Sequence, residues 1–242
     1  MSMGRVVLVG AGPGHPDLIT VRGLRELQAA DIVIHDALLD PRLLDNCPEA
    51  EIIDVGKRGG NHPYSQDSIN ELLYAKAQEG GLIVRLKGGD PFLFGRGAEE
   101  AAYLRERGVE VEVVPGVSSS IAVPELCGVP ITHRDFASHV TIVTGHERAD
   151  REKDRLDWKA MATLGGTIVI LMGMGNHARI AADLMEGGLA PETPVAVIVN
   201  GASDRQESAG CTLGTLSETV LGRGLKAPGI IVIGGCASLL EE

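Results

Sequence analysis

The sequence has few aromatic residues, an excess of acidic over basic residues, and no long apolar run, and each of these shortages excludes a class of function. Aromatic residues make up 3% of the chain, which disfavours a stacking surface for single-stranded nucleic acid. The 22 basic residues face 33 acidic ones, so the net charge of -11 disfavours nucleic acid or an anionic membrane as the main partner. No apolar run approaches the length of a membrane span. An anionic ligand would therefore need a local cluster of cations.

Cysteine and histidine are also few, and they show no metal-binding pattern. The seven histidines include no HExxH pair, so we predict no metal site. The apolar run after Arg5 lacks the longer segment and cleavage site of a signal peptide. The four cysteines form no CxxC pair and are predicted to be reduced core residues, which indicates a cytoplasmic protein: Cys47, Cys127, Cys211 and Cys236.

Short apolar runs alternate with helical patterns along the chain, which predicts an α/β fold. The length of 242 residues permits one large domain or two domains of about 120 residues each. The rhythm breaks at residues 130–135, so we predict an N-terminal α/β domain over 1–135 and a C-terminal α/β domain over 136–242. The expected strands are 5–9, 32–34, 52–55, 82–86, 109–114, 140–144, 167–172, 195–199 and 229–233, and the expected helices 20–29, 69–79, 98–104 and 178–186.

Five of the predicted strands end in glycine-rich loops, with the sequences GAGPG, GKRGG, KGGDPF, PGVSSS and LMGMG. In open α/β sheets, ligands lie at the carboxyl ends of the strands, and glycine lets a ligand approach the backbone closely. The phosphate cradle GxxxxGK[ST] is absent, which disfavours nucleoside triphosphate chemistry. A cofactor with an adenosine but no phosphate fits these loops better.

The first loop also leaves a nicotinamide-dependent dehydrogenase open as an alternative. Its turn resembles GxGxxG, although His15 stands in place of the third glycine and Pro13 stiffens the turn. Asp36 follows the second strand, where a Rossmann acid would bind a ribose hydroxyl. Stabilisation by NAD, with none by S-adenosylhomocysteine, would support this alternative.

Eight blocks of the sequence occur in the order seen in uroporphyrinogen-III C-methyltransferases: LVGAGPG, the strand end at Asp36, VGKRGG, VRLKGGDPFLFGRGAEE, VVPGVSSS, PITHRD, VTGH and LMG. The chain resembles this family of tetrapyrrole methyltransferases over nearly its whole length. The resemblance implies two α/β domains with an S-adenosylmethionine cleft between them, and a homodimer. It also implies methylation of uroporphyrinogen III at C-2 and C-7, through precorrin-1 to precorrin-2, for sirohaem, cobalamin or haem d1. A later precorrin methyltransferase and a non-catalytic tetrapyrrole carrier remain open.

The resemblance also assigns roles to individual residues. It makes Asp36 the proton acceptor and Lys57 the proton donor, and it places Arg96 and Glu99 in substrate handling. Uroporphyrinogen carries eight carboxylates, so the cations Lys57, Arg58, Arg96 and Arg134 form an expected substrate-binding cluster. The implied S-adenosylmethionine positions, which S-adenosylhomocysteine would occupy as product, are Pro13, Gly88, Gly89, Asp90, Leu93, Ser118, Ser119, Met172 and Gly201.

The chain departs from the family's pattern at five positions, none of which removes a named catalytic residue. The most notable is His35, which replaces the usual tyrosine beside Asp36, because a histidine there can titrate near neutrality. The other departures are His15 for an acid, Ala98 for a glycine, Leu171 for a tyrosine and Val199 for a glutamate.

Overall fold

The computed structural model describes residues 3–56, 64–146 and 156–241. Its backbone contacts divide the chain into two compact units, Met1–Ser119 and Ser120–Glu242. The domain boundary predicted after Asp135 stays a prediction. No helix in the described ranges has both the length and the apolar character needed to cross a membrane.

The first unit contains a five-stranded parallel sheet in the order β3-β2-β4-β1-β5. This strand order brings β2 beside β4, with Ile34 opposite Arg85 and His35 opposite Leu86. The carboxyl ends of β2 and β4 are therefore neighbours at one edge of the sheet. The strands are β1 (Arg5–Gly10), β2 (Ile32–His35), β3 (Glu51–Asp54), β4 (Leu82–Lys87) and β5 (Glu110–Val114), and the helices are α1 (Val21–Gln28), α2 (Gln66–Glu79) and α3 (Gly97–Arg105).

Both faces of this sheet are buried. Alternate residues of each strand point to opposite faces, so each strand contributes side chains to two cores. On one face, Ile34 and Ile83 belong to a core that includes Leu73 of α2 and Leu104 of α3. The other face belongs to a second core that includes Val84, Leu86 and Leu27 of α1. By the same alternation, Arg85 and Lys87 lie on the face covered by α2 and α3.

The second unit contains a mixed five-stranded sheet in the order β6-β7-β10-β8-β9. The pair β6 and β7 is parallel, and the remaining pairs are antiparallel. Its core is a single cluster around Ile170, Leu184 and Ile231. The strands are β6 (Val140–Thr144), β7 (Thr167–Leu171), β8 (Pro194–Val199), β9 (Glu207–Thr212) and β10 (Gly229–Ile233), and the helices are α4 (Ser119–Glu125), α5 (Trp158–Leu164), α6 (His177–Glu186) and α7 (Leu216–Gly222).

The sequence did not predict the edge strand β9, whose segment ESAGCT carries no apolar run. It is held by pairing to β8 alone, with Val197 opposite Ala209. The predicted seventh strand is also one residue too long, since β7 ends at Leu171 and Met172 turns to φ 55°. Such a left-handed backbone ends a strand, and in a residue with a side chain it is uncommon.

Candidate active site

Three glycines bring the ends of β1, β4 and β5 into backbone contact. A Cβ at Gly10 would lie 2.5 Å from Cα of Gly116 and 2.6 Å from the carbonyl oxygen of Gly89. A Cβ at Gly116 would lie 2.2 Å from that same oxygen. Gly12 and Gly89 then exchange two backbone hydrogen bonds, of 3.2 and 2.7 Å. These loops therefore form one connected backbone surface that leaves no room for side chains at their crossing.

Asp90 fixes the shape of this surface with both of its carboxylate oxygens. Its Oδ1 accepts hydrogen bonds from the amides of Phe92 (2.8 Å) and Leu93 (3.1 Å), and its Oδ2 accepts one from the amide of Gly116 (3.1 Å). Bonds to an ionised acceptor are worth about 1.5–3 kcal/mol each. The acid in the motif thus holds its own loop and ties it to the loop after β5.

Gly88 differs from the glycines at the crossing because space is open above it. The nearest atom to a Cβ built there is the carbonyl oxygen of Leu38, at 3.8 Å, and the backbone is not in the left-handed region. The fold itself therefore does not require glycine at this position. A close approach by a ligand gives a reason for it.

The remaining sequence-predicted cofactor positions of the first unit flank these loops. Pro13 is partly buried in the loop after β1, and Leu93 is partly buried in the loop after β4. Ser118 is buried, and Ser119 begins α4. The amide nitrogen of Ser119 is also the atom nearest to a Cβ built on Gly89, at 3.7 Å. The structure thus brings the predicted positions Gly88 to Asp90 close to Ser118 and Ser119.

A cluster of four charged residues lies at the adjoining ends of β2 and β4. Arg85 donates to Oδ1 of Asp36 at 2.5 Å, and its guanidinium also lies 3.3 Å from Oε1 of Glu100. Lys87 donates to the same Glu100 oxygen at 3.0 Å and lies 3.8 Å from Oδ2 of Asp36. Arg85, Lys87 and Glu100 are at most 3% exposed, whereas the Asp36 side chain is 36% exposed. Asp36 is therefore the member of the cluster that reaches solvent.

Burial lowers the pKa of Lys87, and the neighbouring Arg85 cation lowers it further, whereas Glu100 and Asp36 act in the opposite direction. Desolvation disfavours the charged form of any ammonium group. The contact with Glu100 is therefore what favours the protonated ammonium so close to another cation. Oδ1 of Asp36 accepts from Arg85, and Oδ2 lies 3.8 Å from Nζ of Lys87.

Arg96 and Glu99 form an exposed pair at the start of α3. The guanidinium of Arg96 donates to both carboxylate oxygens of Glu99, with the shortest contact at 2.6 Å. This pairing raises the pKa of Arg96. Arg96 has φ 59°, and Phe94 in the same loop has φ 54°, so two residues with side chains occupy a costly backbone region. Backbone strain of this kind is concentrated at functional sites.

In the second unit, Met172 and Gly201 lie in loops that follow strands. The side chain of Met172 is 51% exposed, which is unusual for a methionine that fills a core. A Cβ at Gly201 would lie 2.3 Å from Cγ1 of Val123, so packing alone requires glycine there. Arg134 is exposed in a tight turn closed by two hydrogen bonds between His133 and Ala137.

Two of the predicted site residues, Lys57 and Arg58, lie outside the described residues. Within the described ranges, no group of three or more His, Cys, Asp or Glu side chains has the arrangement of a metal site. The prediction that the protein uses no metal stays a prediction.

The family model of the tetrapyrrole (corrin/porphyrin) methylases matches residues 5–217. The chain belongs to the tetrapyrrole methylase family. An S-adenosyl-L-methionine-dependent uroporphyrinogen III methyltransferase of Methanosarcina barkeri is 48% identical, over 98% of this chain and 93% of that protein. A sirohaem synthase of Chromobacterium violaceum is 43% identical, over 99% of this chain and 51% of that protein.

The fold of this tetrapyrrole methylase also matches a solved structure. Uroporphyrin-III C-methyl transferase from Thermus thermophilus, in complex with S-adenosylhomocysteine, is 35% identical with a TM-score of 0.84. The match covers 98% of this chain and 100% of the other. The family predicted from the sequence and its α/β fold are thereby confirmed, and the dehydrogenase alternative is not supported.

Sequence reasoning missed Arg85, Lys87 and Glu100 as members of the site. Two signals pointed to them. Arg85 interrupts an otherwise apolar strand, and Lys87 follows it at the two-residue period that shares a face. Glu100 lies beside Ala101 on the buried side of α3 and is 0% exposed. Burial without a partner would be very costly for any of these charges, so two cations in a buried strand imply a buried acid nearby.

Proposed function

We propose that this tetrapyrrole methylase is a uroporphyrinogen-III C-methyltransferase that uses S-adenosylmethionine. It methylates uroporphyrinogen III at C-2 and C-7 and forms precorrin-2 through precorrin-1, for sirohaem or cobalamin synthesis. The observation that carries the proposal is the juxtaposition of Asp36, a partly exposed carboxylate, and Gly88, an open stretch of backbone, at neighbouring strand ends. The similarity to the uroporphyrinogen III methyltransferase of Methanosarcina barkeri supports the same substrate.

The glycine loops of the first unit fit S-adenosylmethionine, because they offer open backbone and lack a phosphate cradle. When bound, this cofactor supplies an electrophilic methyl group on a sulfonium, so transfer to a ring carbon depends chiefly on positioning. Asp90 acts by holding its loop rather than by contacting the methyl group, since its oxygens accept three backbone amides. The residues assigned to cofactor binding are Pro13, Gly88, Gly89, Asp90, Leu93, Ser118 and Ser119, with Met172 and Gly201 of the second unit.

Asp36 serves as the general base. Methylation of a substituted ring carbon leaves the macrocycle with a positive charge, so the macrocycle must lose a proton from another position, and a partly exposed carboxylate can accept it. Arg85 holds one oxygen of Asp36, which leaves Oδ2 as the acceptor. Lys57 serves as the proton donor, as the family resemblance implies.

Four cations are assigned to the substrate's carboxylates. Arg96 and Arg134 are exposed, and a guanidinium suits bidentate contact with a carboxylate. Glu99 pairs with Arg96 and orients its guanidinium until substrate carboxylates compete for it. Lys57 and Arg58 complete the cationic set. Cations in these positions would account for anion binding by a chain of net charge -11.

The enzyme is cytoplasmic and acts as a homodimer. The four cysteines are free thiols, which supports a reducing compartment. The homodimer rests on the family resemblance. Nucleic acid and membrane are not among its partners, as the acidic composition indicates.

Methyl incorporation tests the proposed activity directly. We expect the protein, incubated anaerobically with uroporphyrinogen III and methyl-labelled S-adenosylmethionine, to add two labelled methyl groups per macrocycle. Mass spectrometry of the product counts them. An absence of label would overturn the proposal. Label on a more highly methylated precorrin, but not on uroporphyrinogen III, would instead favour a later precorrin methyltransferase.

The substitution Gly88→Ala tests where the cofactor approaches the backbone. The added methyl group meets only the Leu38 carbonyl oxygen at 3.8 Å, so we expect the melting temperature to stay within about 2 °C of wild type. S-adenosylhomocysteine binding, measured by calorimetry, should weaken by roughly tenfold or more, which is about 1.4 kcal/mol.

Gly222→Ala is the matched control, because a Cβ there meets no atom within 4 Å and lies in α7 of the second unit. Gly222→Ala should change neither the melting temperature nor the affinity for S-adenosylhomocysteine appreciably. Unchanged affinity in Gly88→Ala would show that no ligand closely approaches this residue. Gly201→Ala is unsuitable for this purpose, since its clash with Val123 would mix a folding defect with any loss of binding.

A further inference from the structure

One oxygen of Glu100 accepts three hydrogen bonds within the buried charge cluster. Its Oε1 accepts from Lys87 at 3.0 Å, from Gln66 at 3.1 Å and from Nε of Arg85 at 3.4 Å. Gln66 is fixed in turn by a 3.1 Å bond to Asn70, so helices α2 and α3 both brace this oxygen. Glu100 is 0% exposed, which prevents it from touching substrate or cofactor.

The cluster contains two cations and two carboxylates, and each cation faces both carboxylates. Arg85 is further held by the carbonyl oxygens of Ile34 (3.3 Å) and Leu86 (3.4 Å), at the ends of β2 and β4. Glu100 is thus the only fully buried anion that balances Arg85 and Lys87 among the charged residues the structure describes in this cluster. Without Glu100, Asp36 would be the one carboxylate of this cluster left to pair with both cations.

We propose that Glu100 is a positioning residue for methyl transfer: by holding Arg85 and Lys87, it sets the orientation of the Asp36 carboxylate and the placement of the two cations beside it. This inference rests on the proposed function, because it concerns how the assigned base works. Arg85 and Lys87 of β4 contact the Asp36 carboxylate, and Glu100 of α3 contacts both cations. Gln66 of α2 adds a neutral donor to Glu100, and the buried His35 is bonded to the backbone carbonyl oxygen of Asp36.

The test is a double-mutant cycle between Glu100→Gln and Asp36→Asn. Glu100→Gln keeps the shape of the side chain and removes its charge. We expect kcat for labelled methyl incorporation to fall on the order of tenfold, as when outer partners of a reacting group are removed. KM and S-adenosylhomocysteine affinity should stay as in wild type. In the Asp36→Asn background, Glu100→Gln should have no further effect on kcat, because residues that act through one group are not additive.

Additive losses in the double variant would overturn the inference, as would an unchanged kcat in Glu100→Gln or a rise in KM. Asp31→Asn is the matched control. Its carboxylate accepts from the amide of Leu82 at 2.7 Å, at the opposite end of β2 and β4. It should alter stability but leave kcat unchanged.

If Glu100→Gln alone does not fold, the double variant Glu100→Gln/Lys87→Met takes its place in the double-mutant cycle with Asp36→Asn. It removes one anion and one cation together, which avoids leaving either charge buried without a partner. The same loss of kcat, again absent in the Asp36→Asn background, is expected. A wild-type protein that transfers no methyl group would instead overturn the proposed function, and the inference with it.

Discussion

Asp36→Asn is expected to slow methyl transfer to uroporphyrinogen III by about 10²–10⁴-fold, the usual contribution of a general base. The amide keeps the size of the carboxylate and its acceptor oxygen for Arg85, but it cannot take up the proton that the methylated ring releases. S-adenosylhomocysteine affinity should change little, because asparagine keeps the size of Asp36 and its contact with Arg85, so the neighbouring glycine loops are left unchanged. Single-turnover incorporation of labelled methyl, with calorimetry of the product cofactor, measures the two quantities.

Asp31→Asn again serves as the control, since it makes the same chemical change just before β2 begins, at the other end of the strand. It should leave the rate of methyl transfer unaltered. If Asp36→Asn weakened cofactor binding as much as it slowed turnover, the residue would be a binding group and not the base. The neighbouring His35 is buried, and its Nδ1 lies 2.9 Å from the backbone carbonyl oxygen of Asp36.

The sequence predicted the architecture well where a strand is apolar and ends in glycine. Strands β1 and β4 follow this pattern, and their ends meet the loop after β5 at Gly10, Gly89 and Gly116. These loops can cross only because the three positions carry no side chain, and a glycine in the sequence is enough to predict this. Strand β9 has no such pattern, and its existence depends on hydrogen bonds to β8, which no local signal encodes.

The charged part of the site was predicted less completely, and the reason is physical. Asp36 and Arg96 stand in loops, where a charged residue is readily interpreted as functional. Arg85 and Glu100 are 15 positions apart and touch only because α3 folds back onto β4. Local periodicity shows that each is buried, but the pairing is a tertiary contact. Asp90 stays a predicted cofactor position, and the motif did not indicate that its carboxylate also accepts hydrogen bonds from the backbone of its own loop and of Gly116.

Arg85→Met is expected to have the largest effect on stability. The guanidinium is 1% exposed and bonds to Asp36, to Glu100 and to two strand carbonyl groups. Methionine fills a similar volume but removes the cation, which leaves Glu100 buried with Lys87 as its remaining cation. Breaking a buried pair by removing one partner costs about 3–5 kcal/mol. In a chain of this size, that lowers the melting temperature by roughly 10 °C, measurable by circular dichroism.

Arg5→Met is the matched comparison, because Arg5 lies in the same sheet and also contacts two carboxylates, at 2.6 and 3.2 Å. Its side chain is 36% exposed, and ion pairs open to solvent contribute about 0–1 kcal/mol. A similar loss of stability in both variants would contradict the view that burial makes Arg85 indispensable. Arg85→Met/Glu100→Gln should recover part of the loss, since it also removes the buried anion that lost its guanidinium partner and leaves Lys87 facing Asp36. Such recovery would show that the fold tolerates losing the whole pair and that Arg85→Met is destabilising mainly because it removes one partner alone.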